Sequence, residues 1–383
     1  MHDDSHDTDP LTVRGDSDVV ADAAHRGPGD EPAVAVFAPA LLLLVELHHT
    51  GDGVEDVHLH AGGQGYWISR MIQALGARPI PCAAVGGESG QALQAIIAAD
   101  GFDARLTPMG HANSVIVEDR RSQDRALITQ TPIPALDRHE ADELYSATVG
   151  AAMAAGACVL AGTQLAPMFG ADLFRRLVAD LRSNHISVIV DLCGEPLRAA
   201  LASGVDVVKL SHEELVEDGW ATSNSAAEIV RGVRRLRDAG ARAVVISRQH
   251  RSTLAGDASG IFAVTPPKLE VLDGRGGGDS MTAALAVALT RSLPFADGLR
   301  LAAAAAALNV ARHGLGTGRR DSIEEVARHV VIAPAVTDPT VDELESMTKS
   351  ALYEHARELE IPGRSAMTRG ELIDAIARRS DRR

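Results

Sequence analysis

Aromatic side chains are nearly missing: Phe, Trp and Tyr make up 3% of 383 residues, against 45% hydrophobic residues in all. A core must therefore be filled by Ala, Val, Leu and Ile, a composition that suits helices packed on a parallel sheet. Cysteine is scarce too. Cys82, Cys158 and Cys193 stand far apart without CxxC spacing, which argues against a disulfide framework or a Cys-based zinc site and for buried free thiols in a reducing cytoplasm. The longest apolar run, Ala33 to Leu47, is broken by Pro39 and too short to span a bilayer. The opening MHDDSHDTDP has neither a basic n-region nor an apolar h-region, so a cytoplasmic protein with no signal peptide and no membrane contact is expected. Basic charge is in deficit, 37 Lys and Arg against 52 Asp and Glu for a net −15, which excludes a nucleic-acid or anionic-membrane binder over the whole chain.

What is present falls into three parts. Residues 1–31 are polar and acidic without a period and read as a disordered tail, with His2, His6 and His25 solvated in it. From residue 32 to 335, short apolar runs (AVAVFA, PIPCAAVG, ACVLAG, ISVIVDL, VDVVKLS, AVVISR) alternate with helical stretches such as YWISRMIQALGA and SAAEIVRGVRRLRDAG. That alternation predicts an α/β fold with a doubly wound, mostly parallel sheet, whose ligands sit at the carboxyl ends of the strands. NSVIVED and RALITQT predict a hairpin, and His48 and His49, after an apolar strand, are expected to face solvent. Residues 340–380 have a different grammar: SMTKSAL is echoed by AMTRGEL, and Thr348 and Thr368 are placed to N-cap two short helices. Each has Met before it and Leu352 or Leu372 four after, and Glu371 completes a capping box in the second copy.

The stretch DGRGGGDSM, Asp273 to Met281, precedes an alanine-rich helical run. Glycines before a helix leave backbone N–H groups open, and the helix N-terminus favours an anion there. It is neither GxxxxGK[ST] nor a dinucleotide fingerprint. Asp279 at the lip of such a nest is the arrangement phosphoryl transfer to an alcohol needs, the nest neutralising charge while the carboxylate accepts the hydroxyl proton.

DGRGGGDSMTAALAVAL resembles the C-terminal signature DTxGAGDxFxAG of the ribokinase-like carbohydrate kinases, the pfkB family, in the branch acting on fructose 1-phosphate and tagatose 6-phosphate. AGGQGYWISRMIQALGA, residues 61–77, resembles the N-terminal signature; VIVDLCGEPLRAAL and VVKLSHEEL resemble LDTSGEAL and KPNxxEL segments. The resemblance implies a small β lid beside the sheet and a homodimer, and ATP with Mg2+ acting on a sugar or sugar phosphate. It makes Asp279 the catalytic base and Gly276, Gly277 and Gly278 the anion hole. It places Glu214 on magnesium through water, and Gly62, Gly63, Gln64 and Trp67 around the sugar. It puts Ser247 and Asn309 near the nucleotide, with a purely structural role for the Asn309 amide left open; Arg275, which with Gly274 replaces the usual lead-in to the glycines, faces either the transferring phosphate at the nucleotide or the surface.

Several functional positions depart from the pattern. Ala38 and Leu42 replace a sugar-binding Asn and Asp, Gln64 replaces a cation and Trp67 an amide, and Ser211 stands for the Asn of KPNxxE. SLGxxG becomes SRQHRS, with Gln249 for its first glycine and Arg248 and Arg251 as compensating charges or solvated ones. Losing one polar contact costs about 1 to 3 kcal/mol, so several losses together weigh against ordinary substrate binding; Asp279 and its glycines remain, and on that ground the sequence supports a divergent kinase. The alternative is a kinase-fold metabolite sensor that engages a partner through its C-terminus. That C-terminus resembles the helical module at the N-terminus of transcription terminator Rho. From residue 341 it carries 8 basic and 9 acidic residues, the basic ones late, at Arg364, Arg369, Arg378, Arg379, Arg382 and Arg383. Weak nucleic-acid contact or protein contact through residues 340–383 is therefore the expectation.

Overall fold

β1 (Ala33–Phe37) shows how a chain poor in rings builds a sheet, because all five of its residues, AVAVF, are buried on two faces. After it come β2 (Leu42–His49), β3 (Glu55–Gly62), α1 (Gln64–Ala74), β4 (Arg78–Val85), α2 (Gly87–Ala99), β5 (Arg105–Pro108), β6 (Ser114–Asp119) and β7 (Ala126–Gln130). The middle of the chain supplies α3 (Arg138–Ala155), β8 (Ala157–Ala161), α4 (Asp172–Ser183), β9 (Ser187–Asp191), α5 (Gly194–Leu201), β10 (Val205–Ser211), α6 (His212–Glu217) and α7 (Ala226–Asp238). Then follow β11 (Ala241–Ser247), β12 (Thr253–Asp257), β13 (Gly260–Thr265), α8 (Gly277–Thr290), α9 (Phe295–Val310), α10 (Arg320–Arg328) and β14 (Val331–Pro334). The computed structural model describes residues 32–50, 53–122, 126–162, 168–312, 314–335, 344–345, 347–359 and 361–380. The acidic tail expected over residues 1–31 lies outside the described residues.

The large sheet runs β14-β13-β12-β11-β10-β9-β8-β1-β4-β5. From β11 to β5 every neighbouring pair is parallel, and the β12–β14 edge is antiparallel. Alternation along β1 sends Ala33, Ala35 and Phe37 to one face and Val34 and Val36 to the other. On the first face they meet residues of α3, α4, α5 and α7. On the second they meet α1 and the alanine-rich α8 and α9. Three of the six phenylalanines, Phe37, Phe169 and Phe174, cluster on the first face with ring centroids 5.6 to 5.9 Å apart. The chain leaves β1 toward β4 on one side and later returns to β8 on the other, so the crevice between β1 and β8 is the topological switch point where such sheets take ligands.

The apolar run from Ala33 to Leu47 is split between two sheets. β1 ends before Pro39, and β2 belongs to a four-stranded lid ordered β3-β2-β6-β7. β6 and β7 pair antiparallel as expected, with a register shift between Val117 and Glu118. His48 is not simply solvent-facing. Its Nε2 lies 3.2 Å from Glu46 Oε2, and its ring meets His58 edge-on at 4.8 Å, because both rings project from the same face of paired strands. Cys82 and Cys158 are buried and Cys193 is partly exposed; all three are free thiols.

The C-terminal residues form α11 (Lys349–Glu358), a 3-10 turn (Arg364–Ala366) and α12 (Arg369–Ser380). Their own core holds Leu344, Leu352, Ile361, Leu372 and Ile376, with Met347 and Met367 against it. Thr348 Oγ1 accepts from the Ala351 N–H. Thr368 and Glu371 form the reciprocal capping box, the Thr368 N–H donating to Glu371 Oε2 at 2.7 Å and the Glu371 N–H to Thr368 Oγ1.

Candidate active site

Gly276 opens α8. Its φ of +69° lies in the left-handed region that favours glycine, and the turn lets the N–H groups of Gly277 and Gly278 begin the helix unobstructed. A Cβ at Gly278 would stand 2.5 Å from Lys209 Nζ and would have to displace that ammonium. Asp279 follows in the first turn. Burial lifts its carboxyl to about 7, helped by the charges of Asp191 and Glu214 and opposed by Lys209 and a hydrogen bond from Gln64. A carboxyl at that point changes protonation near neutral pH, as a general base must.

Gln64 is the first residue of α1 and accepts from the Gly162 N–H at 2.9 Å, just past the end of β8. Its amide thereby spans the switch-point crevice, holding the β8 end with one group and Asp279 with the other. The neighbouring Gly63 has φ +106° and ψ 146°, and a Cβ there would lie 2.6 Å from the Ala40 carbonyl oxygen. Gly62 closes β3 against the Leu42 side chain. Ala38 and Leu42, at the positions of absent sugar-binding polar groups, are both buried.

Three of the expected residues have their polar groups engaged within the chain. Asn309 is 1% exposed; its Nδ2 donates to the Arg275 carbonyl at 2.8 Å and its Oδ1 accepts from the Gly316 N–H at 2.9 Å. The amide thereby ties the glycine turn to the loop after α9. Arg275 folds back on Asp273, with Nε to Oδ1 at 2.9 Å, because an Arg two residues after an Asp in a turn reaches it bidentately. Glu214 forms a capping box with Ser211, whose N–H donates to Glu214 Oε2 at 2.8 Å. It stays near enough to act electrostatically on Asp279.

Trp67 packs partly into the cluster under the lid, edge-on to Tyr66, with the Arg70 guanidinium 5.8 Å from its ring centroid. Ser247 ends β11 in register with Ser211, and its hydroxyl donates to the Leu210 carbonyl at 3.4 Å.

The turn after β11 explains the loss of glycines in SRQHRS. Gln249 keeps φ +50° and hydrogen-bonds Glu213, so the backbone that a glycine would favour persists with a side chain on it. A residue other than Gly there carries strain of about 1 to 2 kcal/mol. Gln249→Gly is expected to fold as stably as the parent, whereas the branched Gln249→Val lowers stability by about 1 to 2 kcal/mol in a denaturant melt; an unaffected Val variant would refute the strain. Beside it Arg248 is 8% exposed and its Nε has no hydrogen-bond partner among the described residues. Burial and the nearby Arg251 lower its pKa. A buried guanidinium so placed favours an anion.

Two residues escaped sequence reasoning. Lys209, in the apolar strand β10, lies 3.1 Å from Asp191 Oδ2, and Thr282 Oγ1 donates to the same oxygen at 2.7 Å. The signal was a Lys flanked by Val208 and Leu210 in the strand VDVVKLS, next to a strand that ends in Asp.

The sequence profile of the pfkB family carbohydrate kinases matches residues 43–322, and that of the Rho termination factor N-terminal domain matches residues 343–380. The chain is 27% identical over 267 residues to an ATP-dependent 6-phosphofructokinase isozyme 2 of Mycobacterium tuberculosis, covering 69% of this chain and 78% of that one. It is 27% identical over 291 residues to the 1-phosphofructokinase of Escherichia coli, covering 73% and 90%. Among solved structures, the tetrameric inhibited form of Escherichia coli phosphofructokinase-2 superposes with a TM-score of 0.67 at 20% identity, over 78% of this chain and 99% of that one.

Proposed function

This chain belongs to the pfkB family of carbohydrate kinases, and on that premise we propose that it transfers the γ-phosphoryl group of ATP to a hydroxyl of a sugar or sugar phosphate. The observation that carries the reading is Asp279 in the first turn of α8, directly after Gly276–Gly278, with its carboxyl lifted to about 7. In this reading Asp279 accepts the acceptor hydroxyl proton, and the α8 N–H groups take the charge on the transferring phosphoryl group. Gln64 orients the base from α1, and Gly62 and Gly63 leave room for the acceptor beneath the lid. Arg248 supports a phosphate-bearing nucleotide near the β11–β12 turn, where the glycines of the usual pattern are gone.

Among the described residues no group of three or more His, Cys, Asp or Glu is arranged to hold a metal by itself. That suits Mg2+, which keeps several waters and takes one or two carboxylates plus substrate phosphates. Glu214 is the carboxylate that would hold it through water, and the ion would supply charge neutralisation of the phosphates.

A homodimer is consistent with the lid, which leaves Val57 and Leu59 more than half exposed on β3. No helix among the described residues is long and apolar enough to cross a membrane, and a cytoplasmic enzyme is our reading. For the C-terminal module we favour a protein partner over nucleic acid. The module is nearly neutral, with 8 basic residues against 9 acidic from residue 341, and Arg364, Arg369 and Arg378 each donate to a backbone carbonyl of the module itself; Arg382 and Arg383 lie outside the described residues.

The test is ADP formation by the purified chain with ATP, Mg2+ and a panel of ketose and aldose sugars and their phosphates. Acceptor-dependent ADP is expected. ATP left intact with every acceptor would overturn the assignment.

A further inference from the structure

Lys209 is 5% exposed in a strand whose neighbours Val207, Val208 and Leu210 are buried as well. Placing an ammonium there costs several kcal/mol unless it is closely paired. The pairing is with Asp191, also nearly fully buried, at the carboxyl end of the adjacent β9, and Thr282 of α8 braces the same carboxylate oxygen. Thr282 Oγ1 also lies 3.1 Å from the Gly278 carbonyl, one turn back along the helix. The ammonium itself sits under Gly278, so close that a Cβ would meet it. A fixed cation thus stands behind the N–H groups that open α8, and a fixed anion stands beside it. Their side chains keep only 6% and 2% of their surface exposed.

We propose that the buried Lys209–Asp191 pair, braced by Thr282, is a positioning device that sets the proton affinity of Asp279 and reinforces the anion cradle from behind. The inference rests on the reading of Asp279 as the base. Charged groups reach that carboxyl from three elements: Asp191 on β9, Lys209 on β10 and Glu214 on α6; Gln64 on α1 adds a neutral hydrogen bond. Asp191 and Glu214 favour the protonated form and Lys209 the ionised one. Lys209 in turn keeps its proton against burial because Asp191, Glu214 and Asp279 surround it. The two halves of the pair therefore pull Asp279 in opposite directions, and its titration is left near neutrality.

Opposite pulls give a signed test. In Lys209→Met the midpoint of the acid limb of the kcat profile should move to higher pH by about one pH unit, a tenfold loss of rate below it. In Asp191→Asn it should move to lower pH, and the double variant should fall between them. Thr282→Val, which removes only the brace, should shift it in the direction of Asp191→Asn by less. Carboxyl carbons of 13C-aspartate-labelled, ligand-free protein report the same titration by NMR, with the Asp279 signal assigned by its loss in Asp279→Asn. Should the parent transfer no phosphate, the base reading fails, and the NMR midpoints still decide the electrostatic one. Opposite shifts in Lys209→Met and Asp191→Asn support the proposal, and so does a downward shift in Thr282→Val if Lys209→Met does not fold. Midpoints that stay fixed, or move the same way in variants with cooperative melts, overturn it.

Discussion

Asp279→Asn is expected to lower turnover by about 100-fold or more while leaving the fold intact. The amide keeps the shape of the carboxyl and can still meet Gln64, but it cannot accept the acceptor proton. Because the carboxyl is lifted to about 7, the parent rate should fall as pH drops through that point and the base becomes protonated. The same shift has a consequence for stability. Its ordinary value is 3.8, so between about 4 and 7 the folded chain binds a proton that the unfolded chain has released. Stability from this group is full below the ordinary value and is lost as pH rises through 7. Asp279→Asn removes that loss, so its melting temperature should gain on the parent as pH is raised from 5 to 8. A parent-like rate, or a gap in melting temperature that shrinks with pH, would contradict the assignment.

Gly63→Ala is expected to cost about 3 kcal/mol, combining backbone strain of about 1 to 3 kcal/mol with overpacking of similar size. At φ +106° and ψ 146° the residue occupies a region essentially reserved for glycine, and the added methyl would be driven onto the Ala40 carbonyl at 2.6 Å. The obstacle is backbone, so no rotamer relieves it. The entry to α1 must shift, and Gln64, the next residue, moves with it. The variant should therefore lose both urea resistance and turnover, and a stability within about 0.5 kcal/mol of the parent would show that the loop yields freely.

The doubly wound sheet was legible because β-branched runs such as ISVIVD and VDVVKLS alternate with amphipathic stretches, and the lid hairpin because NSVIVED and RALITQT are short and close together. The break between β1 and β2 was signalled only by Pro39, and nothing local says that Leu42 onward leaves for another sheet. Asp279 and its glycines were readable since they are contiguous. Partnerships across the fold were not. Asn309 faces neither solvent nor the cleft because two backbone groups, at Arg275 and Gly316, need its amide. Arg275 carries a charge that suits phosphate, yet Asp273 two residues away captures it. Lys209 and Asp191 are 18 residues apart in sequence and meet only because β9 and β10 pair in parallel.

The two faces of the large sheet differ in when their cover is made. Helices α4, α5 and α7 are crossovers between successive strands of the sheet and α3 leads directly into β8, so one face is closed as fast as the strands emerge. Val159, Ile189, Val207 and Val245 on the other face wait for Ala283 to Val287 of α8 and Leu299 to Ala305 of α9. On a ribosome adding roughly 5 to 20 residues per second, that apolar surface stays bare for on the order of ten seconds or more after Val159 appears. The nascent chain is most vulnerable to aggregation in that interval, and the phosphate cradle is among the last parts of the kinase domain to exist.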